Sequence, residues 1–287
     1  MNFALAIILG LIVMLSDGFG DLFAAKTVRR IGVLRTIFWD TTILLVSFLI
    51  IFLVFYKTVD LTSITILIVV VASILGAASF ISYEKGLQVG SVAIVSPVTS
   101  VWSGITVILS VIFLNLPISP LEAIAIIMLI AGSVLVSLQL NQLGKEKGNK
   151  IITGAKYGIL SALGWGCGYF LVNYLIIGLN WFLPFLLYTT IYFLIFSSLM
   201  AVKKRTFKIQ RGMGTYVLVL GLLGVVSMAS YGQGINSGFV LVMAPLSAAS
   251  PAVSVLLAFK FLKERLEKTQ IIGVISIIFG LVVLALI

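Results

Sequence analysis

Ten stretches of this chain are each long and apolar enough to cross a lipid bilayer, which leaves little room for any other architecture. A membrane-spanning helix needs about 20 mainly apolar residues. Runs of that kind fall at 3–25, 37–56, 61–83, 90–114 and 119–139, and again at 152–176, 180–202, 214–235, 239–262 and 269–287. Ten spans of about 22 residues use about 220 positions of the 287, so no soluble domain remains. Only 10% of the residues are charged, against about 25% in a soluble domain. The sequence therefore predicts an all-α integral membrane protein with ten transmembrane helices. The one polar stretch of any length, Asn141 to Lys150, divides it: 141–151 reads as a linker between a first unit at 1–140 and a second at 152–287.

The cations sort themselves by loop. Lys26, Arg29, Arg30 and Arg35 follow the first span, and Lys85 follows the third. Lys145, Lys147, Lys150 and Lys156 surround the linker after the fifth. Lys203, Lys204, Arg205, Lys208 and Arg211 follow the seventh, and Lys260, Lys263, Arg265 and Lys268 the ninth. Eighteen of the 19 cations thus sit at odd-numbered connections, with Lys57 alone at an even one. Because cytoplasmic loops carry the Lys/Arg excess, odd loops are expected in the cytoplasm and both termini outside. The apolar start resembles a signal peptide but has no basic n-region, its first cation being Lys26. It reads as a retained first span. The net charge of +10 is therefore a topology label and not a nucleic-acid signal.

Sliding the chain by 148 residues brings it onto itself. Ser79, Ser82, Tyr83, Gly86, Gly90, Pro97 and Gly132 fall on Ser227, Ser230, Tyr231, Gly234, Gly238, Pro245 and Gly280, while Gly18 and Gly20 fall on Gly166 and Gly168. From 79 to 135 the ungapped match has about 16 identities in about 57 positions, where so biased a composition gives roughly 5 by chance. Each copy has five spans, an odd number, so the second must lie upside down relative to the first. The charges agree: Asn115 to Ser119 has none, while its counterpart, Lys263 to Lys268, is dense with them. Inverted repeats are the architecture of many secondary transporters, with the solute site near the midplane between the copies.

The pattern resembles the drug/metabolite transporter superfamily, in particular its ten-helix EamA-type members. Trp165-Gly166, Ala244-Pro245-Leu246 with Pro251, and Phe261-Leu262-Lys263-Glu264-Arg265-Leu266 carry the likeness, followed by Ile271-Ile272-Gly273 through Gly280 in the last span. The first copy departs from it, with Asp17 where Trp165 stands and Leu116-Pro117 in place of Glu264-Arg265. The resemblance implies a transporter fold and leaves the solute unassigned. Members of this kind are described with cytoplasmic termini, whereas the loop count here places both outside.

Ionisable groups within a span are costly and are read first as functional. Asp17 and Asp21 lie four apart, on one face of the first helix. Their repeat equivalents are Trp165 and Tyr169, and Asn173 continues that face of the sixth. Carboxylates on one helix would then oppose an aromatic, hydrogen-bonding surface on its inverted partner, suited to a cationic or zwitterionic solute through a charge pair and a cation–π contact. Asp17, the deeper, is the candidate for loading and releasing a proton, as the single helix-1 carboxylate of the related small multidrug transporters does. Asp21 reads as a helix end ion-paired to Lys26, and Asp40, close to Arg35, as interfacial. Tyr83 and Tyr231, with Ser79 and Ser227 one turn earlier, are pseudo-symmetric positions equally consistent with lining a pathway and with helix packing. Pro97, Pro245 and Pro251 break the fourth and ninth spans where hydroxyls and Trp102 gather. Gly86 with Gly90, and Gly234 with Gly238, read as close packing or tight turns.

Other chemistries fall away. Without histidine, imidazole catalysis and the usual zinc sites have no ligand. A single Cys167 excludes an intrachain disulfide. No phosphate-binding loop or motor domain is encoded, and no cofactor, metal or nucleic acid is expected. The expected partners are the bilayer and a small solute, with the chain acting as a monomer or a homodimer in the cell membrane. The leading reading is a secondary transporter of a small metabolite such as an amino acid. Its rivals are an exporter of lipophilic cations or a flippase for a lipid-linked substrate and, more distantly, an intramembrane aspartyl protease suggested by Gly18-Phe19-Gly20-Asp21.

Overall fold

A computed structural model describes residues 3–55, 61–90, 92–144, 148–257, 259–260 and 266–286, and among these no strand occurs. The expectations for Lys57, Lys145, Lys147 and the 261–265 part of the resemblance lie outside the described residues. Six helices build the first copy: α1 (Phe3–Ile31), α2 (Val33–Val54), α3 (Ser63–Val89), α4 (Val92–Thr99), α5 (Trp102–Leu114) and α6 (Pro120–Ser137). A single helical turn, α7 (Leu140–Leu143), leads to the second copy. That copy comprises α8 (Gly148–Gly178), α9 (Leu183–Val202), α10 (Gly214–Asn236), α11 (Val240–Ala248), α12 (Ser250–Leu257) and α13 (Lys268–Ala285). Taken with the breaks in the fourth and ninth, these make ten spans apolar and long enough to cross a membrane. The chain is a ten-helix integral membrane protein of two inverted five-helix repeats.

The shift of 148 holds down to single hydrogen bonds. Thr41 donates its hydroxyl to the carbonyls of Ile37 and Phe38, and Thr189, 148 residues on, donates to those of Phe185 and Leu186. A capping box starts α6, where Ser119 receives the Glu122 amide and Glu122 receives the Ser119 amide. Glu267 and Gln270 repeat it at the start of α13. Such caps satisfy amides that the first helical turn otherwise leaves bare.

Two features of the chain shape the spans. Pro97 lies inside α4 and Pro245 inside α11. Each removes a backbone donor, and the helix stops within a turn, around Ser100–Val101 and at Ala249, before restarting as α5 and α12. The other feature is α1, which runs to Ile31, six residues beyond the expected end. Lys26, Arg29 and Arg30 therefore belong to a helix and not to a loop. Arg29 and Arg30 sit in its last turn, where positive charge favours the macrodipole. Likewise α8 begins at Gly148, inside the stretch expected to be linker.

The copies pack mainly against each other. The most extensive pairings are α3 with α8, α1 with α10, α6 with α13 and α2 with α9, all between copies. Small residues permit these approaches. Gly132 in α6 lies against Ile277 and the carbonyl of Gly273, while Gly280 in α13 lies against Leu129 and the carbonyl of Ala125. Gly90 meets the backbone of Gly154 directly, and Gly238 takes a positive φ of 92°.

Candidate functional site

The site forms where α1 and α8 cross the two broken spans. Gly18 in α1 sits against Val253 and the carbonyl of Ser250, and its equivalent Gly166 in α8 sits against Ile105 and the carbonyl of Trp102. A Cβ at Gly18 would lie 2.9 Å from that carbonyl oxygen, and one at Gly166 3.0 Å from its counterpart. Any side chain would push the helix away. The glycine of Gly18-Phe19-Gly20-Asp21 is thereby explained by packing, independently of the aspartate.

This close crossing presents Asp17 to α11 and α10. Ser247 donates its hydroxyl to an oxygen of Asp17 at 3.1 Å, and the hydroxyl of Ser227 is close enough to act on the carboxylate. One turn on, Asp21 accepts a 2.8 Å hydrogen bond from Ser254 in α12. Lys26, the expected partner of Asp21, turns elsewhere. Its ammonium lies 4.0 Å above the ring of Tyr216 and donates to that residue's hydroxyl at 2.5 Å. The groups that act on the two carboxylates are serine hydroxyls and, for Asp17, Asp21 itself, with no cation among the described residues.

Facing them is the aromatic surface of α8. The Trp102 and Tyr169 rings lie 4.6 Å apart at 30°, and Tyr231 meets Tyr169 edge-on at 5.6 Å. Trp165 packs on Tyr83 at 5.6 Å, whose hydroxyl pairs with that of Ser96 at 3.2 Å. Tyr169 is within electrostatic reach of Asp17. The structure therefore gathers Asp17, Ser227, Trp102, Trp165, Tyr169, Tyr83, Tyr231 and Asn173 around one region. Ser79 does not join them. Its hydroxyl returns to the Leu75 carbonyl, its own carbonyl accepts from Ser161, and it presses on Gly164 in the α3–α8 seam. Pro97 and Pro245 shape the region without side chains that can bond a solute, and Pro251 opens α12.

Asp40 is the residue the sequence reading misplaced. It lies in α2, where one of its carboxylate oxygens is buried without a partner and faces Gly224 of α10. The repeat register could have found it, because Asp40-Thr41-Thr42 falls on Tyr188-Thr189-Thr190. The pseudo-symmetry thus maps Asp17, Asp21 and Asp40 onto Trp165, Tyr169 and Tyr188. Those three aromatics, with Gly76, Gly168 and Met228, enclose a void of about 10 Å³, the size of one water site.

The two ends of the region differ. Asn173 is 0% exposed and Tyr231 3%, and Tyr231 belongs to the buried cluster that includes Phe185, Phe239 and Met243. The Tyr231 hydroxyl and the Asn173 amide lie side by side, yet neither makes a well-formed hydrogen bond. Their equivalents at the opposite end are a half-buried Tyr83 and an exposed Ala25, next to an exposed Asp21. One end is buried within the protein and the other is not.

Comparison with known proteins follows the same division. A family model, that of the EamA-like transporter family, matches residues 4–138 and again residues 152–286. Uncharacterized protein MJ1333.1 of Methanocaldococcus jannaschii is 33% identical over 72 residues, 25% of this chain and 53% of its own length. The chain thus spans about half the length of that relative. A solved crystal structure is similar with a TM-score of 0.78 over 98% of this chain and 97% of its own, at 17% identity. That likeness shows the fold alone.

Proposed function

From the premise that the chain belongs to the EamA-like transporter family, we propose that it is a secondary active transporter for a small polar solute bearing an ammonium group, an amino acid or a similar metabolite. Membrane transport follows from the family. The solute class rests on one observation: Asp17, with the exposed Asp21 one turn on, has hydroxyl partners and no cation among the described residues, and lies within electrostatic reach of Tyr169, on which Trp102 stacks. An ammonium group satisfies both surfaces, by charge pairing with a carboxylate and by contact with an aromatic face. An anionic solute would meet uncompensated repulsion there. Trp165, Asn173, Ser227 and Tyr231 supply the remaining contacts.

Asp17 is the coupling residue in this reading. A carboxyl held in a low-dielectric region can carry either a proton or the solute cation, but not both at once, and that exclusion couples the two fluxes. Alternating access then amounts to exchanging which end is sealed, the first copy (1–140) rocking against the second (152–287). With the cation-rich odd loops in the cytoplasm and both termini outside, the exposed end beside Asp21 and Tyr83 faces the cytoplasm of the cell membrane. Asp17 and Asp21 share one face of one helix and so do not form the opposed pair that aspartyl hydrolysis needs.

Uptake into proteoliposomes under an imposed pH gradient, with a panel of labelled amino acids and small amines, tests the reading. Accumulation of a panel member is expected, and Asp17→Asn is expected to abolish it. If Asp17→Asn retains both the flux and its dependence on the gradient, Asp17 does not couple.

A further inference from the structure

A second cavity lies away from the carboxylates, at the cytoplasmic end of the proposed orientation. It is about 500 Å³, within the range of ligand sites. It is bounded by the start of α2, the end of α3 and the end of α9. Its composition is divided. Leu34, Phe80, Ile81 and Leu199 give it apolar walls, while Arg35, Lys85, Lys203 and Arg205 supply four cations against a single acid, Glu84. Among the described residues no carboxylate forms an ion pair with any of the four. The cations stand at the helix ends, the level at which bilayer head groups lie.

The repeat gives a control within the same molecule. At the place related by the repeat, Leu183 stands for Arg35, Gln233 for Lys85 and Phe55 for Lys203, while Arg205 has a cation, Lys57, as its equivalent. There the space is closed by the protein's own rings: Phe55 packs on Trp181 and Phe182, Phe52 on Phe182, and Phe48 on Phe185. Of the two clefts related by the repeat, one is filled with aromatics, and the other is open with cations at its mouth. Simple solvation of lysines does not explain an open apolar cleft behind them.

We propose that this cleft binds the head group of an anionic phospholipid, the phosphate between Arg35 and Arg205 and the glycerol and upper acyl chain against Leu34, Phe80 and Leu199. Guanidinium groups bind phosphate oxygens in pairs. Basic pockets between membrane helices are suited to such head groups. A soluble phosphate would use the cations but leave the apolar walls bare, which is why a lipid is the better fit. The site is independent of the solute reading: it shares no residue with the Asp17 region and would stand if that reading failed.

The test uses full-length protein, stripped of lipid and transferred to nanodiscs of phosphatidylcholine with or without phosphatidylglycerol. Native mass spectrometry then reads which lipid is retained. Preferential retention of phosphatidylglycerol is expected, falling about fivefold for each cation removed, so that Arg35→Gln with Arg205→Gln lowers it by more than an order of magnitude. Equal retention of the two lipids, or a preference untouched in the double variant, overturns the proposal. Displacement of phosphatidylglycerol by excess inorganic phosphate also overturns it, in favour of a soluble-anion site. If the double variant does not fold, wild-type protein and a photoactivatable phosphatidylglycerol decide: labelling within 80–88 and 196–205 supports the site, and labelling elsewhere sinks it.

Discussion

Asn173 and Tyr231 hold three buried polar atoms that no well-aligned protein group among the described residues bonds. A buried polar group without a partner costs about 1–3 kcal/mol, so such a pair is retained for something other than stability. Replacing Asn173 with leucine, similar in size, is expected to leave the melting temperature unchanged or raise it while lowering solute flux; a clear fall in melting temperature would show instead that the amide is structural. The stack of Trp102 on Tyr169 makes a second prediction. Trp102→Ala should weaken the apparent affinity for an ammonium solute by roughly tenfold and leave the response to a pH gradient intact, as measured by uptake against solute concentration. The candidate carboxylate Asp17 was legible from sequence, because an acid in an apolar run is conspicuous. Asp40 was not. Its nearness in sequence to Arg35 suggested an interfacial position, whereas a helix of 1.5 Å rise carries position 40 inward, away from the end. The partners of Asp21 were equally hidden, since Ser254 lies more than two hundred residues away and only packing brings it near.

Individual helices carry a different kind of information. Span number, the breaks at Pro97 and Pro245 and the register between copies could all be read from hydropathy and repeated residues. The end of α1 could not, because hydropathy reports where lipid ends and hydrogen bonding continues through Lys26 and Arg30 to Ile31. Helix seams were legible as glycine positions but not as pairings. In the α6–α13 seam, a Cβ at Gly273 would lie 2.6 Å from the backbone nitrogen of Val136 and 2.7 Å from the Gly132 carbonyl oxygen. Backbone cannot move aside as a side chain can. Gly273→Val is therefore expected to cost at least about 1–3 kcal/mol, seen as a lower melting temperature or loss of a monodisperse peak. Gly20, whose nearest neighbour is Leu220 at 3.8 Å, should tolerate alanine in the same assay. Equal sensitivity of the two positions would contradict this account of the seam.

For the molecule as a whole, the central observation is the difference between two ends that are equivalent by repeat. Cysteine labelling checks it directly in a Cys167→Ser background. Ala25→Cys, at the exposed end, should react quickly with a membrane-impermeant maleimide applied from the cytoplasmic face, and Ile235→Cys, fully buried at the other end, should resist reagent from either side. A transported solute should narrow that gap by populating the opposite state. Fast reaction of Ala25→Cys from the outside would reverse the assigned orientation. The overall plan was legible because a duplication leaves the same spacing twice. The buried and exposed ends were not, because a symmetric pattern cannot say which half of a cycle the chain occupies.

The preference of each helix for a partner in the other copy has a consequence for how the protein can be made. Neither half encloses a finished interior of its own, so each depends on the other as a subunit depends on its complement, and the short polar stretch between them contributes proximity and little else. Two polypeptides separated within residues 145–147 and co-expressed should find one another in the bilayer and restore solute uptake, whereas either fragment alone should be cleared by proteolysis. Covalent continuity would then be a convenience of stoichiometry, guaranteeing one copy in each orientation for every molecule synthesised.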